Sequence, residues 1–159
     1  MLTNALFHPR VTRREFGKFW LPPLVWMAVI FSASTDLGSM QHTSRIIGPV
    51  LRFFWPKVTS ETIHDVQVVV RKTGHVTGYA VLAVLLWRAR NRGAFANGWT
   101  WRAAIFVEVI ALLYAISDEI HQSFVPTREA SVVDVLIDCA GAAGGIFVVW
   151  AIGKARKKW

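Results

Sequence analysis

Four apolar segments containing few charges dominate the pattern of hydrophobic and polar positions along the chain. They span residues 19–34, 74–87, 103–117 and 132–152. A helix that crosses a bilayer needs about 20 predominantly apolar residues, within a range of roughly 17–25. The second segment is short for this and needs the preceding turn, which brings Arg71 and Lys72 to its mouth. The pattern predicts an all-α membrane protein with four transmembrane helices.

The connection between the first two segments is long but carries its own pattern. Residues 46–55 contain a bulky apolar run, which predicts a short interfacial or re-entrant helix in this first outer loop. Ser60 is a suitable N-cap for a second helix through Val70 that leads into the second span. Neither a repeat nor a flexible linker divides the chain, so residues 1–159 are predicted to form a single four-helix domain.

The charges predict how the helices are oriented. The net charge is +8 although 53% of the residues are hydrophobic, and the eight tryptophans lie mostly near segment ends, as interfacial residues do. Basic residues cluster in the N-terminal segment, the loop between the second and third spans, and the C-terminus (Arg10, Arg13, Arg14, Lys18; Arg88, Arg90, Arg92, Arg102; Lys154, Arg156, Lys157, Lys158). Four spans place all three clusters on one side, which the positive-inside rule makes cytoplasmic, so both termini are expected there. No basic face follows a polar helix, which argues against a nucleic-acid partner.

Polar side chains recur at the ends of three spans that this topology places at the non-cytoplasmic surface. On the second span, Lys72, His75 and Tyr79 follow i, i+3, i+7 and share one helical face. Asp134 and Asp138 share a face of the fourth span, and the end of the third span carries Asp118, Glu119 and Gln122. We expect the three faces to converge at one level of the bundle.

The chain resembles the VanZ-like family of bacterial membrane proteins over residues 31–146. The resemblance is carried by Phe31-Ser32-Ala33-Ser34, by Arg71-Lys72-x-x-His75-x-x-x-Tyr79, by Asp118-Glu119-x-x-Gln122-x-Phe124-x-Pro126-x-Arg128-x-x-Ser131-x-x-Asp134, and by Gly141. Two positions depart from the family pattern: Gly78 stands where an acid is common, and Asp138 where an asparagine is common. The resemblance implies a bacterial cytoplasmic (inner) membrane protein of the cell envelope, linked to glycopeptide (teicoplanin) resistance.

A site for a phosphate-bearing envelope lipid or its precursor is the favoured functional interpretation. Arg71, Lys72 and Arg128 are candidates to clamp the phosphate. Tyr79, Gln122 and Asp138 are further candidate binding residues, and His75 is suited to proton exchange. Four carboxylates are candidate ligands for Mg²⁺ or another divalent cation: Asp118, Glu119, Asp134 and Asp138. If the protein is an enzyme, the predicted reaction is metal-assisted phosphoryl transfer or hydrolysis at the outer membrane face, with His75, Asp118, Glu119 and Asp134 as catalytic residues. Binding or flipping of the lipid without chemistry would use the same residues.

Several other interpretations remain open at this stage. The cluster of charges is also compatible with an ion-pair network that only holds the helices together. Glu108, inside the third span, suggests a proton-coupled small transporter, although pairing with Arg102 or another cytoplasmic cation is the plainer expectation. A non-catalytic scaffold or binding module is a third class, in which aromatic residues 53–55 contact a glycopeptide-related ligand. The Gly141-x-x-x-Gly145 pattern predicts close helix contact within the chain.

Overall fold

Five α-helices and one 3₁₀ turn make up the part of the chain that the computed structural model describes, residues 13–159 without the side chains of residues 13 and 37. The elements are α1 (Arg13–Ser34), the 3₁₀ turn (Asp36–Gly38), α2 (Met40–Phe54), α3 (Ser60–Arg90), α4 (Trp101–Ser123) and α5 (Val132–Ala155). The all-α prediction is confirmed, and no strand occurs in residues 13–159. Arg10 and the side chain of Arg13, which contributed to the predicted orientation, lie outside this description.

Two of the helices are long and apolar enough to cross a membrane, namely α1 and α5. Little of α1 is buried in the protein, as expected for a helix whose apolar surface faces lipid. Helices α3 and α4 are also long, but they carry the charged and polar residues that the sequence placed at the outer surface. The chain is a membrane protein, and the prediction of four spans is supported at two of its four helices.

The helices in the first outer connection differ in their bounds from the predicted ones. Helix α2 begins at Met40, six residues before the predicted segment, because Ser39 caps it by accepting a hydrogen bond from the backbone N–H of His42. Helix α3 is capped by Thr59, so Ser60 is its first residue and the predicted N-cap was wrong by one position. Helix α3 then continues without a break through Val70 to Arg90, which makes the predicted outer helix and second span one element.

The most extensive helix pair in the bundle joins α3 and α5, and two glycines allow it. A Cβ atom at Gly141 would meet the backbone of Val76, and one at Gly145 would meet the backbone of Ala80. The predicted role of these glycines in helix contact within the chain is confirmed. Because the two backbones are in direct contact, side chains one turn outward on each helix are brought opposite each other.

Helix α1 lies against α3 and α4 and is attached to them by two long-range hydrogen bonds. Trp26 Nε1 donates to the carbonyl oxygen of Gly78 on α3 over 2.8 Å. Tyr114 on α4 donates its hydroxyl proton to the carbonyl oxygen of Met27 over 2.5 Å. These bonds fix the outer half of α1 beside the polar residues of α3 and α4.

Candidate functional site

Charged residues of α3 and α5 pair directly across the close helix contact. Arg71 Nη2 lies 3.1 Å from Asp134 Oδ2, and Lys72 Nζ lies 3.3 Å from Asp134 Oδ1. One turn deeper, His75 Nδ1 lies 2.9 Å from Asp138 Oδ1. The carboxylate of Asp138 is completely buried, whereas Lys72 is nearly half exposed. The two predicted helical faces therefore do converge, and they do so as matched acid–base pairs.

Gln122 connects these pairs to the acids of α4. Its Nε2 donates to Asp118 Oδ2 over 3.1 Å and to Glu119 Oε1 over 3.2 Å, while its Oε1 accepts from Arg71 Nη2 over 3.3 Å. All three α4 residues are buried. The amide can bridge the helices because it offers donors to the carboxylates and an acceptor to the guanidinium. The predicted convergence of all three spans is thus present in the structure.

Both acids of α4 also accept hydrogen bonds from groups outside α4. Ser34, the last residue of α1, donates its hydroxyl proton to Asp118 Oδ2 over 2.7 Å. The backbone N–H of Ser131, at the start of α5, donates to Glu119 Oε2 over 2.8 Å. The carbonyl oxygen of Ile30, 3.0 Å from the same Ser34 hydroxyl, is a second acceptor within reach of its single proton. The contact across the bundle could not be deduced from local spacing.

Arg128 lies in the loop after α4 and binds the end of α1. Its Nε donates to the carbonyl oxygen of Thr35 over 3.3 Å, and its Nη2 donates to the carbonyl oxygen of Ala33. The adjacent Thr127 donates to Asp36 over 2.5 Å, and this hydrogen bond lowers the pKa of the Asp36 carboxyl. Burial lowers the pKa of the Arg128 guanidinium from its ordinary value, with a further contribution from nearby Arg71. The arginine closes the C-terminus of α1, where unpaired carbonyls attract cations.

A cavity of about 210 Å³ lies beside these residues, between the outer parts of α1, α2, α3 and α4. The charged side chains that line it are Arg71, Arg128 and Asp118, together with His75. With His75 neutral, two arginines against one aspartate leave a lining charge of +1. The other three acids of the site, Glu119, Asp134 and Asp138, do not line the cavity. The net formal charge of the lining is therefore positive, whereas that of all the candidate site residues together is negative.

Several polar atoms of the lining residues have no hydrogen-bond partner in residues 13–159. They are the Tyr79 hydroxyl, Arg71 Nε and Asp118 Oδ1. Gln67, which sequence reasoning missed, also lines the cavity and has an unpartnered Nε2. A buried polar atom without a partner costs roughly 1–3 kcal/mol. Three donors and one acceptor of the lining residues are therefore left unpaired among residues 13–159.

The candidate metal ligands are gathered only in part. Atoms of His75, Glu119 and Asp134 lie within 4.8 Å of one another, which suits a shared cation. Asp118 and Asp138 are not members of this group: Asp118 binds Ser34, and Asp138 holds the imidazole of His75. A carboxylate on one imidazole nitrogen is the arrangement that orients histidine ligands in metal sites. The two basic side chains already paired with Asp134 compete with a cation for that carboxylate.

Glu108 does not make the ion pair expected for it. Among the described residues, Arg102 lies outside ion-pair distance and no other cation takes its place, while Glu108 Oε2 is enclosed without a hydrogen bond. The expectation of a pair with Arg102 was wrong, and the carboxylate is left without a partner.

Comparison with known proteins identifies one family. The family model described as VanZ/LLP1 matches residues 19–153, which is most of the chain and includes every residue of the site described above. Searches of curated proteins and of solved structures found no match.

Proposed function

We propose that this chain, which belongs to the VanZ/LLP1 family, crosses the bacterial cytoplasmic membrane four times and binds a phosphate-bearing envelope lipid at its outer face. In this proposal the phosphate enters the cavity lined by Arg71 and Arg128. The resemblance to a family linked to teicoplanin resistance supports an activity in the cell envelope, and in this proposal the binding or flipping of such a lipid, or a related precursor, alters the response to a glycopeptide.

The surface of the bundle supports four spans rather than two. Helix α4 exposes a series of large apolar side chains along its length, including Ile105, Leu113 and Ile120. An apolar surface of this extent is rare on a protein surrounded by water. Helix α2 ends in Phe53 and Phe54, both largely exposed, which suits a helix lying in the outer interface. The basic segments then lie on the cytoplasmic side.

The observation that carries the proposal is the set of unpartnered donors at a positively charged cavity. The Tyr79 hydroxyl and Arg71 Nε are donors, and phosphate oxygens accept several hydrogen bonds at once. Asp118 Oδ1 is an acceptor, which favours a headgroup that also carries a hydroxyl or ammonium. The cavity volume of about 210 Å³ accommodates a headgroup and leaves the acyl chains in the bilayer.

Phosphoryl transfer or hydrolysis is the second candidate, and a specific contact favours it. His75 lines the cavity and is held by Asp138 at 2.9 Å, the arrangement of an oriented general base. Glu119 and Asp134 are near enough to His75 to share Mg²⁺ or another divalent cation with it. EDTA, which removes divalent cations, separates the two candidates. If lipid binding persists in EDTA while turnover of the lipid stops, the cation serves the reaction and not the recognition of the lipid.

Two tyrosines give a matched pair of variants for testing the binding proposal. Tyr79→Phe removes only the unpartnered hydroxyl, whereas Tyr114→Phe removes a hydroxyl that is already bonded to Met27. Native mass spectrometry of the purified protein would measure binding of phosphatidic acid and of diacylglycerol, which lacks the phosphate. We expect Tyr79→Phe to weaken phosphatidic acid binding about tenfold, since a hydrogen bond to a charged group contributes roughly 1.5–3 kcal/mol.

The opposite pattern is expected for stability. Tyr114→Phe should lower the unfolding free energy and leave lipid binding unchanged, because its hydroxyl serves the contact between α4 and α1. If Tyr79→Phe binds phosphatidic acid as well as the wild type does and is more stable, the hydroxyl is merely an unsatisfied core group and the proposal fails. If diacylglycerol binds as tightly as phosphatidic acid, the protein does not recognise the phosphate group, and that part of the proposal fails.

A further inference from the structure

A second cavity, at the opposite end of the bundle from the polar site, lies between α4 and α5. Its volume is about 580 Å³, and its walls are mostly aromatic and aliphatic. Trp99, Trp101, Phe147 and Trp150 supply the aromatic part. Of the residues that the structure describes, Glu108 is the only charged one in this lining. We call this cavity the Glu108 groove.

No cation of the described residues pairs with the carboxylate in the Glu108 groove. Its Oε2 is enclosed and has no hydrogen-bond partner in residues 13–159. Two basic side chains at this end of the bundle contact aromatic rings: Lys154 Nζ lies 5.1 Å from the ring centre of Trp150, and the Arg90 guanidinium lies 5.6 Å from that of Phe106. Ionisable groups at membrane depth are costly and by default mark function. Within residues 13–159 this acid is left unpaired, so it is available to a bound cation.

The chemistry of the walls selects among possible occupants. Anions are repelled by the carboxylate, and an acyl chain would leave it without a partner. A small divalent cation needs several oxygen ligands, whereas the lining offers one carboxylate and apolar groups. Aromatic faces attract organic cations, most strongly when water is excluded. We infer that the Glu108 groove binds a lipophilic organic cation, that is, a quaternary ammonium or phosphonium group carried on an apolar body.

Two probes of the same shape and opposite charge test this inference. Equilibrium dialysis of the intact protein in neutral-lipid nanodiscs would measure binding of tetraphenylphosphonium and of tetraphenylborate. We expect saturable binding of the phosphonium alone, reduced about tenfold or more by Glu108→Gln, because the variant removes the partner of a desolvated charge. Glu61→Gln, which removes an exposed acid at the start of α3, is the matched control and should bind as the wild type does.

The inference is overturned if Glu108→Gln binds the phosphonium like the wild type, or if both probes saturate the wild type equally, which indicates an unselective apolar groove. Should Glu108→Gln fail to accumulate, Trp101→Leu decides instead, since this side chain is 73% exposed and its loss leaves the core intact. We expect a severalfold loss of affinity from it, and unchanged affinity would count against the inference. Phosphatidic acid binding at the outer cavity should not respond to these variants, so the two proposals fail independently.

Discussion

Replacing Gly141 by alanine tests whether the close contact of α3 and α5 assembles the site. A Cβ at this position would lie 2.9 Å from Val76 Cα, with the Val76 carbonyl oxygen closer still, whereas ordinary contacts begin near 3.4 Å. The helices must therefore separate by about 0.5 Å or more, the difference between 3.4 and 2.9 Å, because backbone atoms cannot rotate away. Overpacking of this kind costs about 1–3 kcal/mol, and the helix propensity of alanine returns up to about 1 kcal/mol.

We expect Gly141→Ala to lower the free energy of unfolding by a net amount of up to about 2 kcal/mol, which leaves it about 1–3 kcal/mol less stable than an alanine variant without the overpacking. Gly144→Ala is the matched control on the same helix, because nothing lies within 4 Å of a Cβ placed there. Thermal or denaturant unfolding in detergent, followed by circular dichroism, would compare the two variants. Because Val76 follows His75 and Gly141 lies one turn below Asp138, the same variant should weaken phosphatidic acid binding. Equal stability of Gly141→Ala and Gly144→Ala would refute the assignment of this contact.

Three further predictions concern the loop, the ion pairs and the topology. Arg128→Lys should lose most phosphatidic acid binding in native mass spectrometry while still accumulating, because one ammonium cannot span the two carbonyl oxygens that the guanidinium fork binds; full binding would show that charge alone suffices. Asp134→Asn should lower the unfolding free energy by about 1–3 kcal/mol, since it leaves two cations without their shared carboxylate, and an unchanged unfolding transition would contradict this. Cysteines at Gly93 and Thr127, in a Cys139→Ala background, should react with an impermeant thiol reagent in intact cells only at position 127; the reverse labelling would overturn the orientation.

The helical faces could be predicted because they depend only on the helical period. Residues three and four positions apart share a face whatever the tertiary structure, so Lys72, His75 and Tyr79 had to point together. The same argument aligned Asp134 with Asp138 on α5. The start of α2 was missed, since its first turn is polar and has no apolar run that distinguishes it from a loop.

The pairing of the charges could not be predicted, because it depends on the relative heights of separate helices. Arg71 was expected to clamp phosphate, yet its Nη2 binds Asp134 and Gln122, and its Nε is enclosed without a partner among the described residues. Arg128 was placed in the same clamp, but it binds carbonyl oxygens at the end of α1. In both cases the residue type identified the site, while backbone geometry decided the partner.

An ion-pair network and a ligand site are therefore not exclusive interpretations of the same residues. The satisfied contacts, such as His75 with Asp138, position the helices, and polar contacts between membrane helices contribute only about 0.6 kcal/mol each on average. Among the described residues, the Tyr79 hydroxyl, Arg71 Nε and Asp118 Oδ1 have no hydrogen-bond partner at this cavity. Each unpaired atom destabilises the fold by more than one interhelical polar contact stabilises it, so stability alone is a weak reason for this arrangement. The network is better understood as the scaffold that holds these three atoms in place. A ligand that satisfies them stabilises the folded chain by its own binding free energy, so phosphatidic acid should raise the unfolding temperature of the wild type and raise that of Tyr79→Phe less.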